Sequence, residues 1–225
     1  MKLTTAYLAA GWLAVAQASA NDRDLVTLHR TMALEVYPRG IRLVSTDRFM
    51  LLTAWIPDLT GGDEPHVSEL PDRVVIAQDA DGRGKGLLAY MLRLSRKKDA
   101  PPIPNCEIEF DVRMPDGMKP DEDTPLEGME PKFVVIDVPD MERVWLPVIE
   151  SDYPNWRPIV GDHQPEVTDT IALWPERLGR LGGVGNYAEG AILWTFGGAD
   201  RVALVEWPSS TPHVTGIVMP VRWVM

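Results

Sequence analysis

Residues 1–22, MKLTTAYLAAGWLAVAQASAND, admit two readings, and the fold turns on which is right. Lys2, an apolar run and Ala18-Ser19-Ala20 match the charged start, apolar middle and small-residue site of an export signal. Yet Leu8, Trp12 and Val15 recur at i, i+4 and i+7, the spacing of one buried helix face. Thr4, Thr5, Gly11, Trp12 and Gln17 also interrupt what an export core keeps uniformly apolar. The stretch reads as a core helix over residues 3–20, the first element of the fold.

Outward from that helix, one order repeats. RTMALEVYP (30–38), GIRLVSTDR (40–48) and FMLLTAWIP (49–57) read as strands, with Pro38-Arg39-Gly40 supplying a turn. RVVIAQD (73–79) then reads as a strand, GKGLLAYMLRLSRKK (84–98) as a helix, and CEIEFDVRM, KFVVIDVPD and ERVWLPVIE as three more strands. In the last third, TDTIAL (168–173) reads as a strand and WPERLGRLGG (174–183) as a helix with Pro175 in its first turn. AILWTFGG, RVALVEWP and VTGIVMPVRW are the closing strands. A helix followed by three strands thus occurs at about 3–57, 73–150 and 167–223. One such unit cannot enclose a core alone, so the expected class is α+β, with helices packed on one face of antiparallel sheets. The acidic, proline-rich PDGMKPDEDTPLEGMEP (115–131) is expected to be an exposed insertion.

At 225 residues and 45% hydrophobic content the chain has an ordinary globular composition. Its single cysteine, Cys106, can form no intrachain disulfide. The formal net charge is -11, but its distribution is uneven. Residues 82–98 carry six basic side chains, Arg83, Lys85, Arg93, Arg96, Lys97 and Lys98, and no acidic one. From Asp99 to Thr170 eighteen acidic residues face five basic ones. A basic helix set in an acidic surround is either a solvated face or a phosphate-binding one.

Catalytic signatures are weak. His29, His66, His163 and His213 lack metal-ligand spacing. DADGRGKG (79–86) places Tyr90 where a calcium loop needs a bidentate glutamate, and Gly86 where a phosphate loop needs Ser or Thr. GVGNYA (183–188) follows a helix and precedes a strand, the reverse of the dinucleotide-binding context. No catalytic pair, metal or cofactor is expected.

Three stretches resemble the β-type sliding clamps of bacterial DNA polymerase III. GIRLVSTDRFMLLT is similar to the clamp strand-turn-strand in which a Thr-Asp pair closes one strand. SDYPNWRPIV is similar to the Tyr/Phe-Pro-Asp-Tyr-Arg segment joining the clamp's second and third domains, and GIVMPVRW to its terminal Val-Met-Pro-Met-Arg-Leu. The resemblance implies a short, divergent, phage-type clamp in the cytoplasm, a processivity factor for replication rather than an enzyme. It implies a domain of two half-units over 1–157, containing the insertion, and a shortened domain or single half-unit over 158–225.

Two sites follow from the resemblance. Duplex DNA would be held without base readout by Arg83, Lys85, Arg93, Arg96, Lys97 and Lys98, with Arg177 and Arg180 from the last helix. Apolar peptides of the polymerase and clamp loader would enter a groove formed by Thr46, Leu51, Pro154, Ile159, Ile217, Met219, Pro220, Val221 and Arg222. Arg48, Phe49 and Met50 stand where the family has Gly, His and Arg, and Trp223 replaces a leucine, so partner choice is expected to differ. Three half-units per chain divide a twelve-unit ring into a homotetramer, with a homotrimer as the alternative. Neither membrane nor cofactor is implied. Three other readings stay open: a noncatalytic exported or surface β-rich binding module, a clamp-like inhibitor of host replication, and a hydrolase, which rests only on the plentiful carboxylates.

Overall fold

The computed structural model describes residues 1–19, 31–61, 63–66, 72–77, 103–111, 132–141, 143–161, 163–167, 171–199 and 201–221. The helix expected over 84–98 and the insertion at 115–131 lie outside them.

A short strand β1 (Lys2–Leu3) leads into helix α1 (Thr5–Val15), which tightens into a 3-10 turn over Ala16–Ala18. Strands β2 (Thr31–Tyr37), β3 (Gly40–Thr46) and β4 (Met50–Pro57) follow as a meander. Tyr37 pairs with Gly40, so Pro38-Arg39 is a two-residue hairpin turn as expected. The next unit contributes β5 (Asp72–Ala77), β6 (Cys106–Asp111), β7 (Phe133–Asp137) and β8 (Val144–Pro147). A five-residue helix, α2 (Arg157–Gly161), interrupts the linker and had no signal in the sequence reading. The last unit holds α3 (Pro175–Val184), β9 (Leu193–Phe196), β10 (Ala203–Trp207) and β11 (His213–Val218).

Two antiparallel sheets result, one ordered β1-β6-β7-β8 and the other β5-β2-β3-β4-β11-β10-β9. The strand leading the first unit, β1, pairs with β6 of the second, and β5 of the second pairs with β2 of the first. The two units are therefore interlocked. The last unit joins edge to edge, through antiparallel pairing of β11 with β4.

One apolar core joins the inner faces of both sheets to α1 and α3, running from Leu3, Leu8 and Trp12 through Leu34, Leu52 and Ile76 to Ile108, Leu146, Val205 and Trp207. The single buried stripe expected of α1 is corrected here: every residue from Leu8 to Val15 is buried. The reason is position, since α1 packs against β3, β4, β11 and α3. Burial on several sides needs apolar and small residues all round, so the helix lacks an amphipathic pattern.

A second correction concerns 168–173. Ile171–Leu173 forms no strand, and residues 168–170 lie outside the description. Ala172 O accepts a hydrogen bond from Val221 N at 2.8 Å on one side, but no ladder partner lies on the other among the described residues. A strand is defined by its pairing, and here half of it is missing. Among the described residues, no helix is long and apolar enough to cross a membrane.

The β4–β11 seam is tight. A Cβ on Gly216 would sit 2.5 Å from Leu52 Cδ2, 2.8 Å from Leu51 O and 3.0 Å from Val205 Cγ2. Gly216→Ala is expected to destabilise the fold by about 1–3 kcal/mol through overpacking, seen as a lower urea midpoint; an unchanged midpoint would show that the seam relaxes freely.

Candidate functional site

Side chains alternate across the seam, so Leu51 and Ile217, paired between β4 and β11, both face away from the helices. Ala33, Val44, Val75, Tyr153 and Trp156 join them in a second, smaller apolar cluster on this outer face. The linker supplies Tyr153 and Trp156, and a buried ion cluster seats it there.

At its centre lies Glu35, fully buried on β2. Its carboxylate accepts hydrogen bonds from Arg157 Nη1 at 2.9 Å and Nη2 at 2.6 Å, from Arg73 Nη2 at 2.8 Å and from Trp156 Nε1 at 3.3 Å. Burial pushes the Glu35 carboxyl up, but hydrogen bonding and charge from Arg157, with Arg73 and Trp156, outweigh it and hold the group below its ordinary value. The guanidinium carbons of Arg42 and Arg157 lie 5.2 and 5.0 Å from the Trp156 ring centroid. Tyr153 OH donates to Val44 O at 3.0 Å, fixing the linker at a second point.

Between this linker and the strands lies a groove of about 200 Å³. Leu51, Ile217, Leu204, Val160 and Trp156 form its apolar part, while Arg42, Glu64, Glu206 and His213 form a charged end. Glu64 accepts from Arg42 Nη2 at 3.0 Å and lies 2.7 Å from His213 Nδ1. The Glu64 hydrogen bond raises the His213 pKa; burial opposes this, and the charges of Glu64 and Glu206 add to it. The His213 charge stabilises the fold fully below its unfolded value of 6.5, and this contribution fades as pH rises through the higher folded value.

Several predicted groove residues meet at one end of the seam. Thr46 is buried, and its Oγ1 donates to Met50 O at 2.8 Å and accepts from Arg48 N at 3.1 Å. Asp47 Oδ1 accepts from Phe49 N and Met50 N at 2.9 and 2.7 Å, so the Thr-Asp pair builds the β3–β4 turn. Arg48 lies at φ 76° within it, a conformation that favours glycine. Met219, 39% exposed, donates its N–H to Phe49 O at 2.8 Å. Pro220 and Val221 are half-buried beside it. Pro154 and Ile159 are exposed on the linker, where Tyr153, Trp156 and Val160 make the inward contacts. Arg222 lies outside the described residues.

Arg83, Lys85, Arg93, Arg96, Lys97 and Lys98 also lie outside the description. Arg180 is engaged within the fold: it donates to Gln17 O at 2.6 Å, Ser19 O at 2.8 Å and Asp47 Oδ2 at 2.5 Å. It fastens α3 to the end of α1 and to the β3–β4 turn. Arg177 lies 4.6 Å from the centroid of the Phe49 ring and donates to Met219 O at 2.7 Å. Sequence reasoning missed the Glu35 and Glu64 clusters because their members lie far apart in the chain; the charged Glu35 and Arg42 inside otherwise apolar strands were the available signal.

No protein-family model and no curated protein sequence matches the chain. Solved structures do. The β subunit of DNA polymerase III from Thermotoga maritima matches over 100% of this chain and 65% of its own length, with a TM-score of 0.56 at 11% identity. The DnaN sliding clamp of Pseudomonas aeruginosa bound to griselimycin matches over 99% of this chain and 65% of its own, with a TM-score of 0.61 at 12% identity. The DNA polymerase III β chain of Streptococcus pneumoniae matches over 99% and 64%, with a TM-score of 0.60 at 12% identity. The chain therefore has the sliding-clamp fold along its whole described length, while spanning less than two thirds of these proteins.

Two outcomes are expected of the charged clusters. Glu35→Gln should destabilise the fold by roughly 3–5 kcal/mol, because it removes the charge that balances buried Arg157; denaturant titration measures this. The wild-type contribution is complete above pH 4.5 and is lost as pH falls through the lower folded value, so the variant should also lose Glu35's share of the acid sensitivity. Secondly, Glu64→Gln should bring the His213 titration, followed by NMR, down toward the ordinary histidine range; an unmoved titration would show that the pair does not persist in solution.

Proposed function

We propose that the chain acts as a sliding clamp, encircling duplex DNA as a homo-oligomeric ring and tethering a replicative polymerase through its outer groove. The observation that supports this best is the likeness to solved clamps, which extends over the full chain rather than one shared motif. The acidic composition and basic 82–98 segment suit the reading: phosphate attraction belongs on the pore lining, and an acidic exterior discourages binding elsewhere. In this proposal Arg83, Lys85, Arg93, Arg96, Lys97 and Lys98 contact DNA, joined by Arg177. Arg180 serves mainly to hold α3 in place.

The groove is the docking place for apolar peptides of the polymerase and clamp loader. Leu51 and Ile217 form its floor, and Met219 is the exposed anchor at its end. Thr46 holds the adjoining turn through its hydrogen bonds, while Pro154 and Ile159 form the rim with Pro220, Val221 and Arg222. The division into a two-unit domain over 1–157 and a third unit over 158–225 belongs to the same proposal. Twelve half-units make the ring a homotetramer, with a homotrimer as the alternative, and its place of action is the cytoplasm.

The deciding experiment compares retention on DNA circles and on linear DNA of equal length, after loading by the cognate loader or at high protein concentration. A ring stays on circles and slides off free ends; equal retention on both would overturn the proposal. Replacing Arg93, Arg96, Lys97 and Lys98 by alanine should reduce retention at low salt, with the difference shrinking as salt rises.

A further inference from the structure

The three units repeat one hydrogen-bond arrangement. In the first, Leu59 N, just beyond β4, donates to Lys2 O of the leading strand at 3.2 Å. In the second, Ile149 N, just beyond β8, donates to Val75 O of β5 at 2.8 Å. In the third, Val221 N, beyond β11, donates to Ala172 O at 2.8 Å. Leu3 precedes the residue capping α1 and Leu173 precedes Trp174, which caps α3, so Ile171–Leu173 is the third unit's leading segment. In the first two units the free side of the leading strand goes to the other unit: β1 to β6 and β5 to β2. The exchange is reciprocal.

The third unit has both halves of this exchange and, among the described residues, neither partner. Ile171–Leu173 is unpaired on that side, and β9 ends its sheet. Its outer edge is met only at the carboxyl end, where Glu166 N donates to Phe196 O at 2.8 Å and Glu166 bridges Gly197. Short as it is, the rest of that edge carries no charge and no proline, its sequence being Leu-Trp-Thr-Phe, and Leu193 at its start is 52% exposed.

We propose that the third units of two copies of this chain exchange Ile171–Leu173 and β9 about a twofold axis, as the first two units exchange β1 and β5 within one copy. Donor and acceptor lie in the same unit, so the surface is self-complementary and closes as an isologous dimer. Side-chain faces set the register. Leu3 and Cys106 are paired and both face the core. Leu173, Ile192 and Trp194 pack against that core, and the repeat chooses between the last two. Ile76 lies opposite Met32 in the row of Leu52, seven residues before Leu59. The matching row, seven residues before Val221, runs from Val214 through Trp207 to Ile192. Leu173 therefore falls opposite the partner's Ile192, and Ala172 opposite the partner's Leu193 on the outer face. This pairing stands on the repeat within the chain. Only the count of chains rests on the ring reading: a dimer holds six units with a β8 edge at each end, and two dimers joined there hold twelve. Three units per chain then need no head-to-tail repeat.

The test mixes two single-cysteine additions, Ala172→Cys in one chain and Leu193→Cys in another, with buried Cys106 left in place. Under a glutathione redox buffer the mixture should give a covalent dimer on a non-reducing gel, while each variant alone stays mostly uncross-linked. A chain carrying both changes should stop at the covalent dimer. Circular dichroism checks that the variants fold. An uncross-linked mixture, a ladder beyond the dimer, or a wild-type chain monomeric by light scattering at micromolar concentration would each overturn the exchange. A cross-linked dimer whose wild-type parent is not retained on DNA circles would leave the exchange standing and overturn the clamp reading.

Discussion

The organisation of this molecule depends on one constraint: a small antiparallel sheet has an edge, and the backbone groups along that edge need partners. Each unit offers three consecutive strands and, ahead of them, a leading segment with one free side. Pairing the leading strand with a neighbouring unit satisfies an edge in each, and it fastens units that also share one apolar core. The first and second units meet this condition within the chain. At the other side, β4 and β11 merge two sheets into one of seven strands, and the close fit around Gly216 is made by Leu51 and Leu52 of β4 and Val205 of β10.

A sheet with helices on one face leaves the other face to be filled or exposed. Here the linker fills part of it, and the means are electrostatic. Glu35 points outward from a strand whose inward neighbours Met32 and Leu34 lie in the main core, and three positively charged or N–H-bearing side chains gather on it. A lone buried carboxylate would be protonated or expelled; surrounded by Arg157, Arg73 and Trp156 it stays ionised and fixes one geometry. The linker, so placed, makes a wall of the groove. Its charged end, where Glu64 joins Arg42 and His213, distinguishes this groove from a simple apolar slot.

Much of the fold was legible in local chemistry. Pro38-Arg39-Gly40, the β-branched runs and Pro175 mark turns, strands and a helix start through backbone preferences acting within a few residues. The β3–β4 turn was legible as a Thr-Asp pair because Thr46 and Asp47 bind backbone groups only two to four residues away. The helical nature of residues 5–15 was legible too, but its burial on several sides was not, since only the packing of α3 and β11 around it reveals that. In the candidate site, Thr46, Leu51, Ile217 and Met219 were marked by sequence, whereas Glu35, Arg42, Glu64 and His213 were not.

The sequence by itself determined β2 to β11 and the helices α1 and α3, because these follow from short-range periodicity and turn residues. Which strand pairs with which was decided only by the tertiary structure. β1 is nearer in sequence to β2 than to β6, yet it pairs with β6: the end of its own meander meets it on one side, and the other side is satisfied across the unit boundary. The same holds for the charges: nothing local separates Arg157, which binds buried Glu35, from an exposed arginine, since the difference is made by a partner 122 residues away.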